Sequence, residues 1–155
     1  MLHLTGKDKD APVRAALEAA VASGAEQDLS ERYHVLDYLT TMEQAYACAD
    51  GVLCRSGAGT VAEITALGLP ALYVPLPIGN GEQRLNAADH VAAGGAQLID
   101  DKDFTADFVR SNVFPLLGSA RLADMTAASQ SLGRAGAARA LADLALEQVK
   151  ESGRE

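Results

Sequence analysis

Short apolar or alternating runs at residues 2–5, 33–38, 51–54, 71–76 and 96–99 recur along this chain with helical stretches between them. That alternation is the pattern of βα units. It predicts an α/β fold with a Rossmann-like, doubly wound and mostly parallel sheet, and it argues against a sandwich or a bundle. Helices are predicted over 12–23, 42–49, 60–67 and 83–93, the first with Asp10 as its cap and a proline in its first turn. Beyond Thr105 the strands stop. The rest reads as C-terminal helices broken near Pro115, Gly118 and Gly133, the last spanning 135–150 before a polar tail.

Length and composition bound what such a fold can do. At 155 residues the chain is the size of one ordinary domain, and 1–155 is read as a single domain. The first strand leads into Gly6-Lys7-Asp8-Lys9-Asp10 rather than into a glycine-rich turn, so a preceding βα unit is expected to be missing. A formal net charge of -8, with no cluster of Lys and Arg, excludes nucleic acid as a partner, because polyanion binders neutralise phosphates with clustered cations. The cysteines, Cys48 and Cys54, lie in apolar segments and make no disulfide framework, which points to a reducing, cytoplasmic setting. No apolar run approaches the roughly 18 residues of a membrane span, and the start lacks the basic and apolar regions of a signal peptide.

The most informative stretch follows the third predicted strand. A turn from the carboxyl end of a parallel strand into a helix aims unpaired N–H groups and the positive end of the helix dipole at one spot, where an anion fits. Ser56-Gly57-Ala58-Gly59-Thr60 lets the backbone approach a ligand at its glycines and offers hydroxyls at Ser56 and Thr60, as a diphosphate cradle requires. The competing reading is a tight strand-to-helix turn capped by Ser56 or Thr60. Gly57-Ala58-Gly59-Thr60-Val61-Ala62 also fits G-x-G-x-x-A, with Glu82 near the place of the acid expected about 20 residues on, so a dinucleotide site is a rival. Its context is against it, since that fingerprint normally follows the first strand of its domain. A Walker A loop lacks its Gly-Lys-Ser/Thr, and Cys54 is followed by threonine rather than arginine at position 60, so neither that loop nor a phosphatase loop is present.

Further residues cluster by spacing. Glu63 is either a capping-box partner of Thr60 or a carboxylate that accepts hydrogen bonds from a ribose diol. After the next strand, Pro75-Leu76-Pro77-Ile78-Gly79-Asn80-Gly81 forms a stiff loop leading to Glu82, Gln83 and Asn86, which share a helix face suited to sugar hydroxyls or simply to water. His3, His34 and His90 fall in predicted strands and on a helix and are assigned packing or surface roles, not that of a base. The triplets Asp8-Lys9-Asp10 and Asp101-Lys102-Asp103 each precede a predicted helix, so capping explains them better than a metal; no metal and no cofactor is expected.

Taken together, Cys54-Arg55-Ser56-Gly57-Ala58-Gly59-Thr60-Val61-Ala62-Glu63, Gly68-Leu69-Pro70-Ala71, Val74-Pro75 and Gln83-x-x-Asn86-Ala87 closely resemble the MurG family, the UDP-N-acetylglucosamine transferases of peptidoglycan synthesis. The resemblance extends upstream through Tyr38-Leu39-x-x-Met42-x-x-Ala45-Tyr46-x-x-Ala49-Asp50. It implies the donor-binding, carboxyl-terminal half of a GT-B enzyme, which has paired Rossmann-like domains. It also implies a reaction in which N-acetylglucosamine passes with inversion from UDP-N-acetylglucosamine to lipid I, forming lipid II. Carried over by position, Leu39 would hold uracil through its backbone and Tyr38 would line the base pocket. Ser56 and Gly57 open the turn, and Ala58, Gly59 and Thr60 would meet the phosphates. Glu63 would bind the ribose, and Glu82, Gln83 and Asn86 would face the sugar, with Glu82 standing where the family often carries glutamine. Arg55 is expected to brace the turn. The family's amino-terminal domain, which takes lipid I and docks on the membrane, is absent from the chain. Turnover by the chain alone is therefore not expected, and the full-length protein is expected at the cytoplasmic face of the plasma membrane. The alternatives are an NAD-binding oxidoreductase domain and a non-catalytic sugar-nucleotide-binding module.

Overall fold

The computed structural model describes residues 1–24, 28–133 and 136–152, and the chain divides into two compact units, Met1–Cys48 and Ala49–Glu155. In the first unit, β1 (Leu2–Leu4) pairs in parallel with β2 (His34–Leu36), with His3 opposite Val35. The crossover between them carries α1 (Ala11–Ala22) and α2 (Leu29–Arg32), and α3 (Met42–Ala47) follows β2. The short helix α2 has no counterpart in the sequence reading.

Asp10 stands at the N-cap position of α1, but its side chain makes no cap bond. It accepts instead from Arg14 Nε at 2.7 Å, and this bond holds its carboxyl below the usual carboxylate range. Asp10 was expected to cap the helix; an ion pair one turn along has taken its carboxylate. The same guanidinium donates to the carbonyl of Val35 at 2.7 Å, tying α1 to β2.

The second unit holds a parallel sheet of β3 (Val52–Cys54), β4 (Ala71–Tyr73) and β5 (Ala96–Leu98), in that spatial order. Every described pairing is parallel, as the βα alternation predicts. The strands are shorter than the apolar runs because the ladder hands over to single loop bonds: Val74 N–H donates to the Cys54 carbonyl and Ile99 N–H to that of Tyr73, both at 2.9 Å. β4 is central and fully buried, as a strand covered on both faces must be.

Helix α4 (Ala58–Ala66) connects β3 to β4 and buries Val61 and Ile64, one helical turn apart. Ile64 has no exposed surface, which contributes on the order of 1.5–3 kcal/mol. The helix ends at Gly68, whose φ of +67° is left-handed and where a Cβ would lie 2.7 Å from Gln130 Cγ. Glycine thus both reverses the chain and admits the later helix that carries Gln130.

The stretch predicted as one helix over 83–93 is two, α5 (Glu82–Asn86) and α6 (Ala88–Ala92), divided at the fully buried Ala87. After β5 come a 3₁₀ turn (Asp101–Asp103) and α7 (Ala106–Phe108), which runs on through a π turn and a second 3₁₀ turn to Leu116. Helix α8 (Ala120–Leu132) is capped by Ser119, whose hydroxyl accepts from Leu122 N–H at 3.2 Å, and it stops at Gly133. The last helix, α9, spans Ala137–Ser152; its expected start at Ala135 lies outside the described residues.

A buried polar chain locks these elements together. Ser129 Oγ donates to the Gly95 carbonyl at 3.2 Å, so it accepts from His90 Nε2 at 2.7 Å, which leaves Nδ1 to accept from Tyr73 Oη at 2.9 Å. That assignment makes His90 the neutral Nε2–H tautomer, and burial pushes its pKa below the ordinary value. A Cβ at Gly95 would sit 2.5 Å from Ser129 Oγ, so only glycine leaves room for the chain of bonds.

Candidate functional site

Because β3, β4 and β5 run parallel, the segments leaving them emerge along one edge of the sheet, the edge where α/β folds bind ligands. The first is the glycine turn. Helix α4 begins at Ala58, two residues earlier than predicted, with Gly57 at its N-cap and no side-chain cap. The first intrahelical bond runs from Val61 N–H to the Gly57 carbonyl at 2.9 Å. The N–H groups of Ala58, Gly59 and Thr60 therefore precede any acceptor the helix can supply.

Those are the residues expected to meet phosphates. Thr60, at the third helical position, is neither a cap nor half of a capping box, so that reading of Thr60 and Glu63 falls. Glu63 is exposed on α4, one turn beyond Thr60.

Ser56 is completely buried, and its Oγ is the one buried side-chain polar atom among the described residues without a hydrogen-bond partner. Natural interiors rarely leave such a group unpaired, because it forfeits its hydration without compensation. Gly57 has an ordinary φ of -64°, and a Cβ there would meet nothing within 4 Å. Neither backbone conformation nor packing within the chain requires glycine at this position. The open space lies at the mouth of three unpaired N–H groups.

The loop after β4 and helix α5 form the second wall. Gln83 Oε1 accepts from Leu76 N–H at 2.9 Å, so its NH₂ group is left to donate. Asn86 Nδ2 donates to the Ser56 carbonyl at 3.1 Å, which leaves its Oδ1 as an acceptor. Glu82 is exposed in the first turn of α5. The dinucleotide reading wants its acid just past the next strand; Glu82 stands instead on a helix beyond a long loop, and the turn itself follows β3.

The segment after β5 supplies the third support. Arg55 donates to the carbonyls of Val74 at 3.1 Å and Pro75 at 3.3 Å and pairs with Asp101, while Arg84 of α5 pairs with Asp100. Arg55 braces the turn as expected. The aspartates were expected to cap a helix; Asp101 instead lies inside a 3₁₀ turn and holds Arg55, and α7 takes Thr105 as its cap. Pairings so far apart in sequence leave no local signal. Asp8 stands in the loop before α1 with a φ of 62°. Among the described residues no group of His, Cys, Asp and Glu is arranged to hold a metal ion.

Tyr38 and Leu39 belong to the first unit, past the end of β2, with Tyr38 65% exposed and its N–H donating to Asp37 Oδ1 at 2.8 Å. His3 Nδ1 meets Tyr33 Oη at 2.7 Å, and His34 is exposed on β2. Cys54, the last residue of β3, is half-buried, and burial pushes its thiol up to about 11. No helix among the described residues is long and apolar enough to cross a membrane.

Comparison with known proteins places this geometry in a family. Residues 1–144 match the model of the glycosyltransferase family 28 C-terminal domain. The chain is 58% identical over 116 residues to a UDP-N-acetylglucosamine--N-acetylmuramyl-(pentapeptide) pyrophosphoryl-undecaprenol N-acetylglucosamine transferase of Mycolicibacterium smegmatis, a match covering 74% of the chain and 30% of that protein. A protein of the same name from Bifidobacterium longum is 43% identical over 159 residues, covering 98% of the chain and 40% of its own length. The crystal structure of MurG from Acinetobacter baumannii superposes with a TM-score of 0.75 at 26% identity, over 92% of the chain and 41% of that structure. The chain thus spans about a third of the length of the relatives it matches.

Proposed function

The chain belongs to the glycosyltransferase family 28 C-terminal domain family, and from that membership we propose that it is the donor-binding part of an inverting N-acetylglucosaminyltransferase that converts lipid I to lipid II. The observation that carries the reading is the glycine turn. The N–H groups of Ala58, Gly59 and Thr60, which have no acceptor within the helix, and the open space at Gly57 lie at a helix start that favours negative charge. A UDP diphosphate supplies the acceptors those N–H groups lack.

In this reading Glu63 accepts hydrogen bonds from the ribose hydroxyls. Gln83 donates to the N-acetylglucosamine through its NH₂, Asn86 accepts through Oδ1, and Glu82 accepts from a hydroxyl at the rim. Leu39 and Tyr38 hold the uracil. The acceptor's C4 oxygen forms a bond to the anomeric carbon as the bond from that carbon to the diphosphate oxygen breaks, and the electron pair leaves with UDP. The new charge falls on the oxygen nearest the turn, where preorganised N–H groups and the helix dipole stabilise it without reorganisation. Each assigned residue acts on the donor, and deprotonation of the acceptor hydroxyl is assigned to none of them. The whole enzyme works at the cytoplasmic face of the plasma membrane, where its lipid-linked acceptor resides.

The test is a calorimetric titration of the chain with UDP-N-acetylglucosamine, UDP-glucose, UDP and NAD. The expected order places UDP-N-acetylglucosamine first and NAD last. Binding of NAD alone would return the turn to the dinucleotide reading, and transfer-incompetent binding even after reunion with the upstream half would identify a sugar-nucleotide module.

A further inference from the structure

We infer that Asn86 is a positioning residue for the phosphate turn, acting through the peptide that joins Ser56 to Gly57, and that it therefore governs affinity for the nucleotide diphosphate as well as for the sugar. The inference rests on the donor reading above and goes beyond it, since there Asn86 touches only the sugar.

The argument starts from the peptide plane. The carbonyl of Ser56 and the N–H of Gly57 belong to one rigid unit and point in opposite directions. Asn86 Nδ2 donates to that carbonyl at 3.1 Å, and so fixes where the Gly57 N–H is directed. Such a bond is needed because the residue after the peptide is glycine. Rotating the plane changes ψ of Ser56 and φ of Gly57, and glycine accepts positive φ about as readily as negative. Nothing lies within 4 Å of the position a Cβ at Gly57 would take, so no neighbour packs against that side of its α-carbon.

The partners of Ser56 point the same way. Its side chain is fully buried, yet its hydroxyl is unpaired, so no bond from that group anchors the residue. The Asn86 bond is the side-chain tie that holds Ser56 from outside its own strand and helix. It comes from α5, whose remaining fixed points are Gln83 on Leu76 N–H and Arg84 on Asp100. Sugar-facing helix and phosphate turn are thus joined at one amide. Occupancy of one is felt by the other.

The distinguishing probe is UDP, which carries the diphosphate but no sugar. The chain and its Asn86→Ala variant are titrated with UDP and with UDP-N-acetylglucosamine, and the Gly57 amide resonance of the unliganded proteins is compared by NMR. Loss of a hydrogen bond that orders the turn is expected to weaken UDP by about tenfold, and UDP-N-acetylglucosamine by at least as much because it also loses its sugar contact. The Gly57 amide is expected to broaden or shift. If UDP affinity is unchanged and only UDP-N-acetylglucosamine weakens, Asn86 is a sugar contact alone and the inference is wrong. If the unmodified chain binds neither UDP compound, the donor reading itself fails and takes the inference with it. Should Asn86→Ala melt far below the parent, Asn86→Ser, which keeps a polar side chain too short to reach the carbonyl, carries the same comparison.

Discussion

At the scale of single residues, the turn shows what sequence spacing can and cannot reveal. Ser56, Gly57 and Thr60 are legible as a strand-to-helix turn, and the structure leaves the first N–H groups of α4 there without helical acceptors. The choice between cap and ligand for Thr60 was not legible, since it depends on where α4 begins, and a shift of two residues turned a cap into a first-turn position. Glu63→Ala is expected to weaken UDP-sugar binding by about 1–3 kcal/mol, the range for lost hydrogen bonds to a charged group. A folded variant with unchanged affinity would remove the ribose role. Gly57→Ala isolates the open space: its φ suits alanine and no atom lies in the way, so the melting temperature should hold while calorimetric affinity for UDP-N-acetylglucosamine falls.

At the scale of elements, strand existence was legible from apolar runs, but strand ends were not, because single loop bonds at Val74 and Ile99 prolong the ladder without extending the strands. The division between α5 and α6 was invisible for a related reason. Ala87 is a good helix former, and what divides the helices is tertiary: Asn86 is drawn to the Ser56 carbonyl on one side and His90 into the Tyr73 and Ser129 chain on the other. The packing of α4 against α8 can be tested at Gly68. Alanine there must adopt a left-handed conformation and displace Gln130, so Gly68→Ala should cost about 2 kcal/mol or more, read as a lowered midpoint in urea.

At the scale of the molecule, pH should act through His90. Its folded pKa lies below the unfolded value of 6.5, so the unfolded chain binds more protons in the interval between them. Stability therefore rises with pH across that interval and is lost as pH falls below about 6.5. Urea unfolding between pH 7.5 and 5.5 should show this slope, and His90→Gln should flatten it; an unchanged slope would assign the effect to other groups.

The two thiols differ in a way that makes the molecule convenient to probe. Cys48 is exposed at the end of the first unit, whereas the thiol of Cys54, beside the glycine turn, is half-buried and raised to about 11. At neutral pH only about one Cys54 in ten thousand is a thiolate, the form that reacts with electrophiles. Iodoacetamide or a maleimide dye should therefore attach at Cys48 and leave the ligand edge of the sheet unmarked, a single-site label on the native chain that peptide mapping can verify.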